Sequence, residues 1–345
     1  MFFSSLRLRA CGTIILCLLL SETLRAEGSS LNPSVDRAVS SSPYQLLKSM
    51  SHAFRTASYD GRFIYMANSK LRSLRVVHTN FDGQEFERLT PLSGGGPEIL
   101  RKGDELICIH PGGDFVRMDN SIPSGPFANK FSHVNAQIDT IYALAFEGED
   151  RIAGRSAKKY LMQPQDLYRY AYKLWLDNES GLLLKTTLLG DKGQELETFE
   201  FVELNVGVDV PHKLFDHPGS SRMDKALVVN LDGVMSPNSD SEWEAGWLPK
   251  GFKMAACDVR HLSKESEKVN ALVYSDGMSS FTIFIEPFAS NKEHAPMPHS
   301  RHGATAVYSH TIDIDEADDK VMITVVGELP MSAIRKIGAS VVRKQ

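Results

Sequence analysis

The chain has 345 residues, about the length of two average domains, and a formal net charge of −5 at pH 7. It contains no basic run and no stripe of lysine and arginine. Nucleic acid is therefore excluded as a partner, because phosphate binding requires concentrated positive charge. Beyond residue 26 only Cys108 and Cys257 remain, far apart in the sequence, and this excludes a disulfide framework.

The N-terminal segment has the features of a secretory signal peptide. Arg7 and Arg9 precede an apolar run that ends at Leu20. We predict a signal peptide at residues 1–26, followed at 27–43 by a flexible leader that is rich in serine and poor in aromatic residues. No later apolar run reaches the roughly 20 residues that a membrane span needs, so the mature chain is expected to be soluble.

One amphipathic helix and a long series of strands follow. Apolar residues recur at helical spacing over 44–57, and from Tyr59 the apolar period changes to two. Asp82-Gly83 is a strong hairpin signal, whereas residues 121–146 have no clean period and are predicted as a loop with one or two short helices. The predicted strands are 62–67, 73–81, 84–92, 98–101, 106–110, 115–118, 147–152 and 157–163, and a meander of strands covers 172–201.

Both faces of these strands carry apolar residues. Phe63 and Tyr65, for example, alternate with Ile64 and Met66. About nine strands with one early helix predict a single, strongly curved antiparallel sheet against which the helix packs. A second apolar face on such a sheet needs a partner of its own.

Residues 213–241 are rich in proline, glycine, serine and aspartate around one apolar run at 226–231, and are predicted to be a linker that contains at most one strand. A second, smaller α+β domain is predicted at 242–345. It consists of a five-stranded sheet capped by an amphipathic C-terminal helix at 330–342. Its predicted strands are 253–259, 270–275, 280–286, 304–312 and 321–326.

No set of catalytic residues is evident. The chain has no GxSxG elbow, no Cys/His signature and no phosphate loop. Four histidines, His294, His299, His302 and His310, gather around a proline-rich loop, a spacing that favours a solvated loop over a zinc site. Cys108 alternates with Leu106 along an apolar strand and is expected to be a buried thiol. We therefore predict a protein without catalytic residues, bound metal or cofactor.

Several segments, taken in order and spacing, resemble the RseB/MucB family of periplasmic regulators of the envelope-stress sigma factor sigma-E. The resemblance runs from about Tyr44 to the C-terminus. The segments that carry it are Asp150-Arg151-Ile152-Ala153-Gly154-Arg155, Trp175-Leu176-Asp177 with Ser180-Gly181-Leu182, Trp247-Leu248-Pro249-Lys250-Gly251-Phe252, Tyr274-Ser275-Asp276-Gly277 with Ser280-Phe281, and Val326-Gly327-Glu328-Leu329-Pro330.

The resemblance implies a lipid-sensing domain at residues 44–212 that is like LolA and LolB, an unclosed barrel whose concave side holds acyl chains. It also implies a periplasmic location in a Gram-negative bacterium, and binding to the periplasmic domain of an RseA/MucA-type anti-sigma factor, which is thereby shielded from the site-1 protease DegS. Lipid or lipopolysaccharide would weaken that binding. A LolA-type lipid carrier and a lipid hydrolase are the alternatives, and a homo-oligomer stays open.

Candidate site residues follow from this implied function. The groove wall is predicted from apolar strand residues, each of which could instead be ordinary core facing the helix: Phe63, Tyr65, Leu74, Val76, Leu106, Tyr172, Leu174 and Leu184. The C-terminal domain is predicted to make most of the anti-sigma contact. The residues proposed for that contact, with core packing or a plain turn as the alternative, are Tyr274, Asp276, Gly277 and Phe281.

Overall fold

A computed structural model of the chain describes residues 42–103, 105–111, 115–119, 134–216, 227–230, 241–261, 268–288, 299–314 and 320–344. These residues belong to one compact unit, residues 40–345. The predicted signal peptide and most of the predicted leader lie outside the described residues.

The first element is helix α1, Pro43–Thr56, which confirms the predicted helix. The Ser42 side chain caps its N-terminus, because the hydroxyl oxygen accepts a hydrogen bond from the backbone N–H of Gln45 at 3.3 Å. The apolar face of α1 is buried, and Leu47 and Met50 have no exposed surface. Amphipathic spacing thus becomes a helix that covers one face of a sheet.

In the described part of the chain, twelve strands form one open sheet. They are β1 Tyr59–Ala67, β2 Lys70–Phe81, β3 Gln84–Pro91, β4 Glu98–Lys102, β5 Glu105–Ile109, β6 Phe115–Asp119, β7 Tyr142–Ile152, β8 Arg155–Pro164, β9 Ala171–Asp177, β10 Leu183–Leu189, β11 Glu195–Val206 and β12 Leu227–Asn230. Their order is β12-β6-β5-β4-β3-β2-β1-β11-β10-β9-β8-β7, so β12 and β7 are the two edges and the sheet does not close. Neighbouring strands are antiparallel except β6 and β12, which run parallel.

The sheet buries apolar residues on both faces of β2. Val76 belongs to the main core, which includes the buried face of α1, whereas the next residue, Val77, belongs to a smaller core on the opposite face. Phe86 and Phe215 also lie in the smaller core, and Phe215 comes from a 3-10 helix, His212–Phe215. The chain therefore covers part of the second apolar face with its own segment.

The C-terminal region forms a second antiparallel sheet. Its strands are β14 Lys253–His261, β15 Lys268–Ser275, β16 Ser280–Pro287, β17 His299–His302, β18 Thr305–Asp313 and β19 Lys320–Gly327, in the order β14-β15-β16-β19-β18-β17. Helix α2, Met331–Gly338, contacts β18 and β19. Two short strands, β13 Trp243–Ala245 and β20 Val341–Arg343, pair with each other.

Several elements differ from the sequence prediction, whereas β12 is the one strand that the predicted linker was expected to allow. β7 begins at Tyr142 instead of residue 147, because it is an edge strand with most side chains exposed and so lacks an apolar alternation. The described C-terminal sheet has six strands, whereas five were predicted. The additional strand, β17, lies in the exposed histidine-rich stretch that was predicted to be a loop. α2 ends at Gly338, and the β-branched Val341 and Val342 continue as a strand. β12, within the predicted linker, joins the large sheet.

The predicted fold class is confirmed. The fold is α+β and mostly antiparallel, with a curved, unclosed sheet, a helix packed on it, and a smaller sheet-and-helix region after it. Among the described residues, no helix is both long and apolar enough to cross a membrane.

Candidate functional site

An apolar cavity of about 900 Å³ lies between β2, β3, β4 and the loop that joins β3 to β4. Its apolar lining is Leu71, Leu74, Leu89, Pro91, Pro97 and Ile99. The volume falls within the range of ~300–1,000 Å³ that is usual for ligand pockets. The cavity is therefore large enough for part of a lipid molecule.

The strand register explains why these apolar residues converge. Leu74 lies directly opposite Pro91 on β3, and Leu89 lies opposite Ile99 on β4. Directly opposed residues of antiparallel strands point to the same face of a sheet. The Ser-Gly-Gly-Gly-Pro loop then passes over this face, and Gly94, at φ +76°, takes the left-handed backbone that the turn requires.

The rim of the cavity carries positive charge. Lys70 and Arg72 line it from β2, and both side chains are exposed. Leu71 lies between them in the sequence and is 57% exposed. An apolar cavity with a cationic rim can hold the tail of an amphiphile while its polar end stays in water.

A row of buried polar side chains crosses the same face of the sheet. Tyr59 lies opposite His78, His78 opposite Glu87, and Glu87 opposite Arg101 on four successive strands. All four residues are buried. His78 stacks on Tyr59 with ring centroids 5.0 Å apart, and its Nδ1 lies 2.8 Å from the carbonyl oxygen of Ala57.

Burial lowers the pKa of His78 below its ordinary value. The imidazole is therefore neutral at pH 7, and Nδ1 donates its hydrogen to the Ala57 carbonyl. Val76, which is two residues before His78 on β2, lies opposite Leu89 of the cavity lining. The polar row thus continues the sheet face that forms the apolar cavity.

The eight predicted groove residues lie in three places. Leu74 lines the cavity. Tyr65 is half-buried, and its hydroxyl donates to Oε2 of Glu197 at 2.9 Å. The other six are buried, five of them in the main core with α1: Phe63, Val76, Leu106, Tyr172, Leu174 and Leu184. Their assignment to a lipid groove stays a prediction.

Sequence reasoning did not select most of the cavity. Leu71, Leu89 and Ile99 line it but were not predicted as groove residues. The sequence feature that could have identified these residues is the glycine-rich loop at 93–97, because it joins two strands whose apolar residues lie on the same face of the sheet. A loop of small residues leaves space above a sheet that larger side chains would fill.

A second feature is the seam, defined here as the buried contact between the loop after β8 and the C-terminal region. Nε of Arg169 donates to Oδ2 of Asp276 at 2.6 Å, and neither side chain has exposed surface. Cζ of Arg169 lies 4.8 Å from the ring centroid of Phe252. The guanidinium also donates to the Asp166 carboxylate and the Lys250 carbonyl. All three guanidinium nitrogens therefore have acceptors within the chain.

Further contacts extend the seam. The Tyr170 hydroxyl donates to the carbonyl oxygen of Leu329 at 2.9 Å. Burial raises the pKa of Tyr170 to about 12, so the hydroxyl stays protonated and remains a donor. The backbone N–H of Ala304 donates to Oε1 of Glu197 at 3.2 Å, and Met278 inserts into the main core. The two sheets are thus joined by buried polar and apolar contacts.

The predicted partner-contact residues lie within or beside the C-terminal core. Tyr274 and Phe281 are buried, with stacked rings 5.2 Å apart, and the Tyr274 hydroxyl accepts a hydrogen bond from the backbone N–H of Ala245. Asp276 belongs to the seam. Gly277 is half-buried at φ +90°, in the turn between β15 and β16. In this arrangement the three larger residues are not exposed to a partner, and their predicted contact stays a prediction.

The segments that carry the family resemblance have structural roles here. Arg155 donates to both carboxylate oxygens of Asp177, at 3.0 and 2.9 Å. The backbone N–H and hydroxyl of Ser180 also donate to Asp177. Burial acts to raise the pKa of Asp177, but these hydrogen bonds outweigh it and the pKa lies below its ordinary value. The network fixes the turn between β9 and β10.

The histidines and cysteines considered as candidate metal or redox residues form neither a metal site nor a disulfide in the described part of the chain. There, no cluster of histidine, cysteine and carboxylate side chains could hold a metal ion. His299 and His302 are exposed, and His294 lies outside the described residues. Neither of the two described cysteines forms a disulfide bond. Cys257 is buried, whereas Cys108, which was predicted to be a buried thiol, is only half-buried.

An open, curved sheet with an apolar cavity, joined through a buried seam to a second sheet, defines a two-part binding protein. The chain belongs to the MucB/RseB family. Residues 42–218 match the MucB/RseB N-terminal domain and residues 237–342 match the MucB/RseB C-terminal domain. The resemblance noted from the sequence is thereby confirmed.

Curated relatives are similar over nearly their whole length. The chain is 31% identical to the sigma factor AlgU regulatory protein MucB of Pseudomonas aeruginosa, over 86% of this chain and 89% of the relative. It is 28% identical to the sigma-E factor regulatory protein RseB of Haemophilus influenzae, over 93% of this chain and 94% of the relative. These relatives are regulatory proteins, which confirms the prediction that the chain is not an enzyme.

Solved structures of MucB are similar in fold. MucB in complex with MucA(peri) superposes with a TM-score of 0.69 at 29% identity, covering 87% of this chain and 98% of that chain. MucB alone superposes with a TM-score of 0.55 at 26% identity, covering 87% of this chain and 97% of that chain. This chain is therefore more similar to MucB as found in the complex than to MucB alone.

Proposed function

We propose that this chain is a periplasmic negative regulator of a sigma-E-type envelope-stress response, which binds the periplasmic segment of an RseA/MucA-type anti-sigma factor. The observation that carries the proposal is the similarity of both domains to MucB, whose structure in complex with MucA(peri) covers 87% of this chain. Binding of an extended segment would shield it from the protease that starts its degradation.

The proposal includes lipid as the signal that relieves this protection. The apolar cavity beside β2, β3 and β4 supports it, because a fatty tail gains about 0.8 kcal/mol for each buried CH₂ group. A tail of ~14 carbons would gain on the order of 10 kcal/mol before the cost of ordering it. This free energy can shift a conformational equilibrium only to the extent that lipid binds one state more tightly than the other.

Affinity for lipid is not sufficient by itself. Lipid can release the anti-sigma segment only by the difference between its affinities for the free and the segment-bound protein. A shift from 99:1 to 1:99 requires about 5.5 kcal/mol of differential affinity. We therefore propose that the cavity and the segment-binding surface belong to one two-state protein.

Binding of the anti-sigma segment is tested with the mature chain and a fluorescent periplasmic segment of a MucA-type protein. We expect saturable binding by fluorescence anisotropy, and slower cleavage of the bound segment by the site-1 protease. A scrambled segment of equal composition is the control. Equal binding of both segments, or none of either, would contradict the proposed function.

Lipid binding is tested with a fluorescent fatty acid and two charge variants. Leu74→Glu places a carboxylate in the apolar lining and should weaken binding by at least about tenfold, because covering a charged group with an acyl tail removes its hydration. Val202→Glu is the matched control, since Val202 is 55% exposed on β11. Unchanged binding by folded Leu74→Glu would remove the cavity from the proposal. Release of altered lipid would instead indicate a hydrolase.

A further inference from the structure

We infer that Arg169 and Asp276 form a latch that holds the two sheets in the arrangement that binds the anti-sigma segment, with Arg169 acting as a positioning residue. This inference rests on the proposed function. It assigns to Asp276 a role in setting the geometry of the protein, whereas the sequence suggested direct contact with the partner.

The two charges come from separate parts of the chain. Arg169 precedes β9 of the large sheet, and Asp276 lies in the turn between β15 and β16 of the C-terminal sheet. Their side chains meet at 2.6 Å with no exposed surface on either. Phe252 and the Lys250 carbonyl, also from the C-terminal region, complete the surroundings of the guanidinium.

A buried ion pair of this kind favours two discrete states. Both charges lose their hydration when the pair forms, and their mutual attraction and hydrogen bonds must offset that cost. If the sheets separate, Arg169 keeps its ion pair with Asp166 on the same loop, whereas Asp276 loses its cation. A partly separated arrangement in which Asp276 stays buried without Arg169 is unfavourable. The contact is therefore either closed or open.

The same carboxylate also organises the turn that carries it. Oδ2 of Asp276 accepts the hydrogen bond from Arg169, while Oδ1 accepts from the backbone N–H groups of Met278 and Ser279, at 2.9 and 2.8 Å. The Met278 side chain lies in the main core of the large sheet. Closing the latch and inserting this turn are thus one structural event.

The outer part of the seam is more exposed than the latch. Nζ of Lys336 donates to the Tyr168 hydroxyl at 3.0 Å and lies 3.9 Å from the Trp247 ring centroid. Lys336 is exposed, so water competes for this contact. In this structure the contact between Arg169 and Asp276 is formed, and the fold superposes better on MucB in the complex, with a TM-score of 0.69, than on MucB alone, with a TM-score of 0.55.

Two variants open the latch in different ways. Asp276→Asn keeps an oxygen acceptor for the turn but removes the charge that faces Arg169. Arg169→Met removes the cation and keeps an apolar stem. The matched control is Arg155→Met, which breaks the ion pair with Asp177 inside the large-sheet region, where the Asp177 side chain is 1% exposed.

The test measures geometry and binding separately. Spin labels are placed at two exposed positions, Val202→Cys on β11 and Val342→Cys on β20, in a background that lacks Cys108 and Cys257. They report the distance between the large sheet and the C-terminal region. Anisotropy with the MucA-type segment reports affinity. We expect both latch variants to shift or broaden the distance distribution and to weaken binding about tenfold or more.

The control separates positioning from stability. Arg155→Met should lower the urea midpoint but leave the distance distribution and the segment affinity unchanged. Unchanged distance and affinity in folded Asp276→Asn would overturn the latch, as would equal effects of Arg155→Met. If the wild-type chain does not bind the segment, the proposed function is wrong, and so is the role of Arg169 in segment binding. The distance measurement decides independently whether Arg169 and Asp276 hold the two regions together.

Discussion

Leu174 provides a direct test of whether the middle of the large sheet is core or open groove. It lies on β9 opposite Tyr160 and Thr186, has no exposed surface, and belongs to the main core with α1. Leu174→Ala removes three buried carbons, a transfer loss of about 2.4 kcal/mol. The cavity left behind adds to this loss, so we expect the free energy of unfolding to fall by about 3–5 kcal/mol.

The measurement is urea unfolding followed by tryptophan fluorescence, with Leu71→Ala as the control. Leu71 is 57% exposed on β2, and its truncation should change the free energy of unfolding by less than about 0.5 kcal/mol. Both variants should retain the wild-type dependence on urea concentration. A loss below about 1 kcal/mol for Leu174→Ala, together with weaker binding of a fatty acid, would refute the core assignment and support the groove predicted from the sequence.

Three further outcomes follow from described contacts. The pKa of Asp177 is lower in the folded chain than its ordinary value of ~4, so the ionised carboxylate stabilises the fold above about pH 4. This stabilisation is lost as the pH falls through the lowered pKa. Asp177→Asn should therefore make the urea midpoint depend less on pH at acid pH. Gly327→Ala would place its Cβ 2.3 Å from Cβ of Phe281, and should destabilise the fold by about 1–3 kcal/mol or more in thermal unfolding. In a chain without Cys108, a thiol reagent should modify Cys257 only after urea unfolds the chain, because Cys257 is 2% exposed; rapid labelling of Cys257 in the folded chain would contradict its burial.

Much of the fold was predictable because local patterns agreed with the final structure. The helical spacing before Ala57 and the Asp82-Gly83 turn each produced the expected element. Apolar residues on both faces of the strands correctly indicated burial on both faces. The segment that covers each face of the sheet is determined by contacts between residues far apart in the sequence. The spacing of apolar residues therefore could not predict that Phe215 packs against Phe86 of β3.

The candidate site was predictable in class but not in detail. The period of two placed Leu74 and Leu174 in one apolar set. Leu74 nevertheless lines the cavity together with the glycine-rich loop, whereas Leu174 is fully buried in the main core. The Arg169–Asp276 contact joins residues 107 apart in sequence, and neither local charge pattern pointed to the other. Only the tertiary arrangement defines that pair.

The most direct test of the account is a thermodynamic cycle on the mature chain. The dissociation constant of the MucA-type segment is measured with and without saturating lipid, and that of the lipid with and without saturating segment. If one two-state protein couples the cavity to the segment, each ligand weakens the other by the same factor, which we expect to exceed about tenfold. Independent binding of the two ligands, with both constants unchanged, would contradict lipid-driven release.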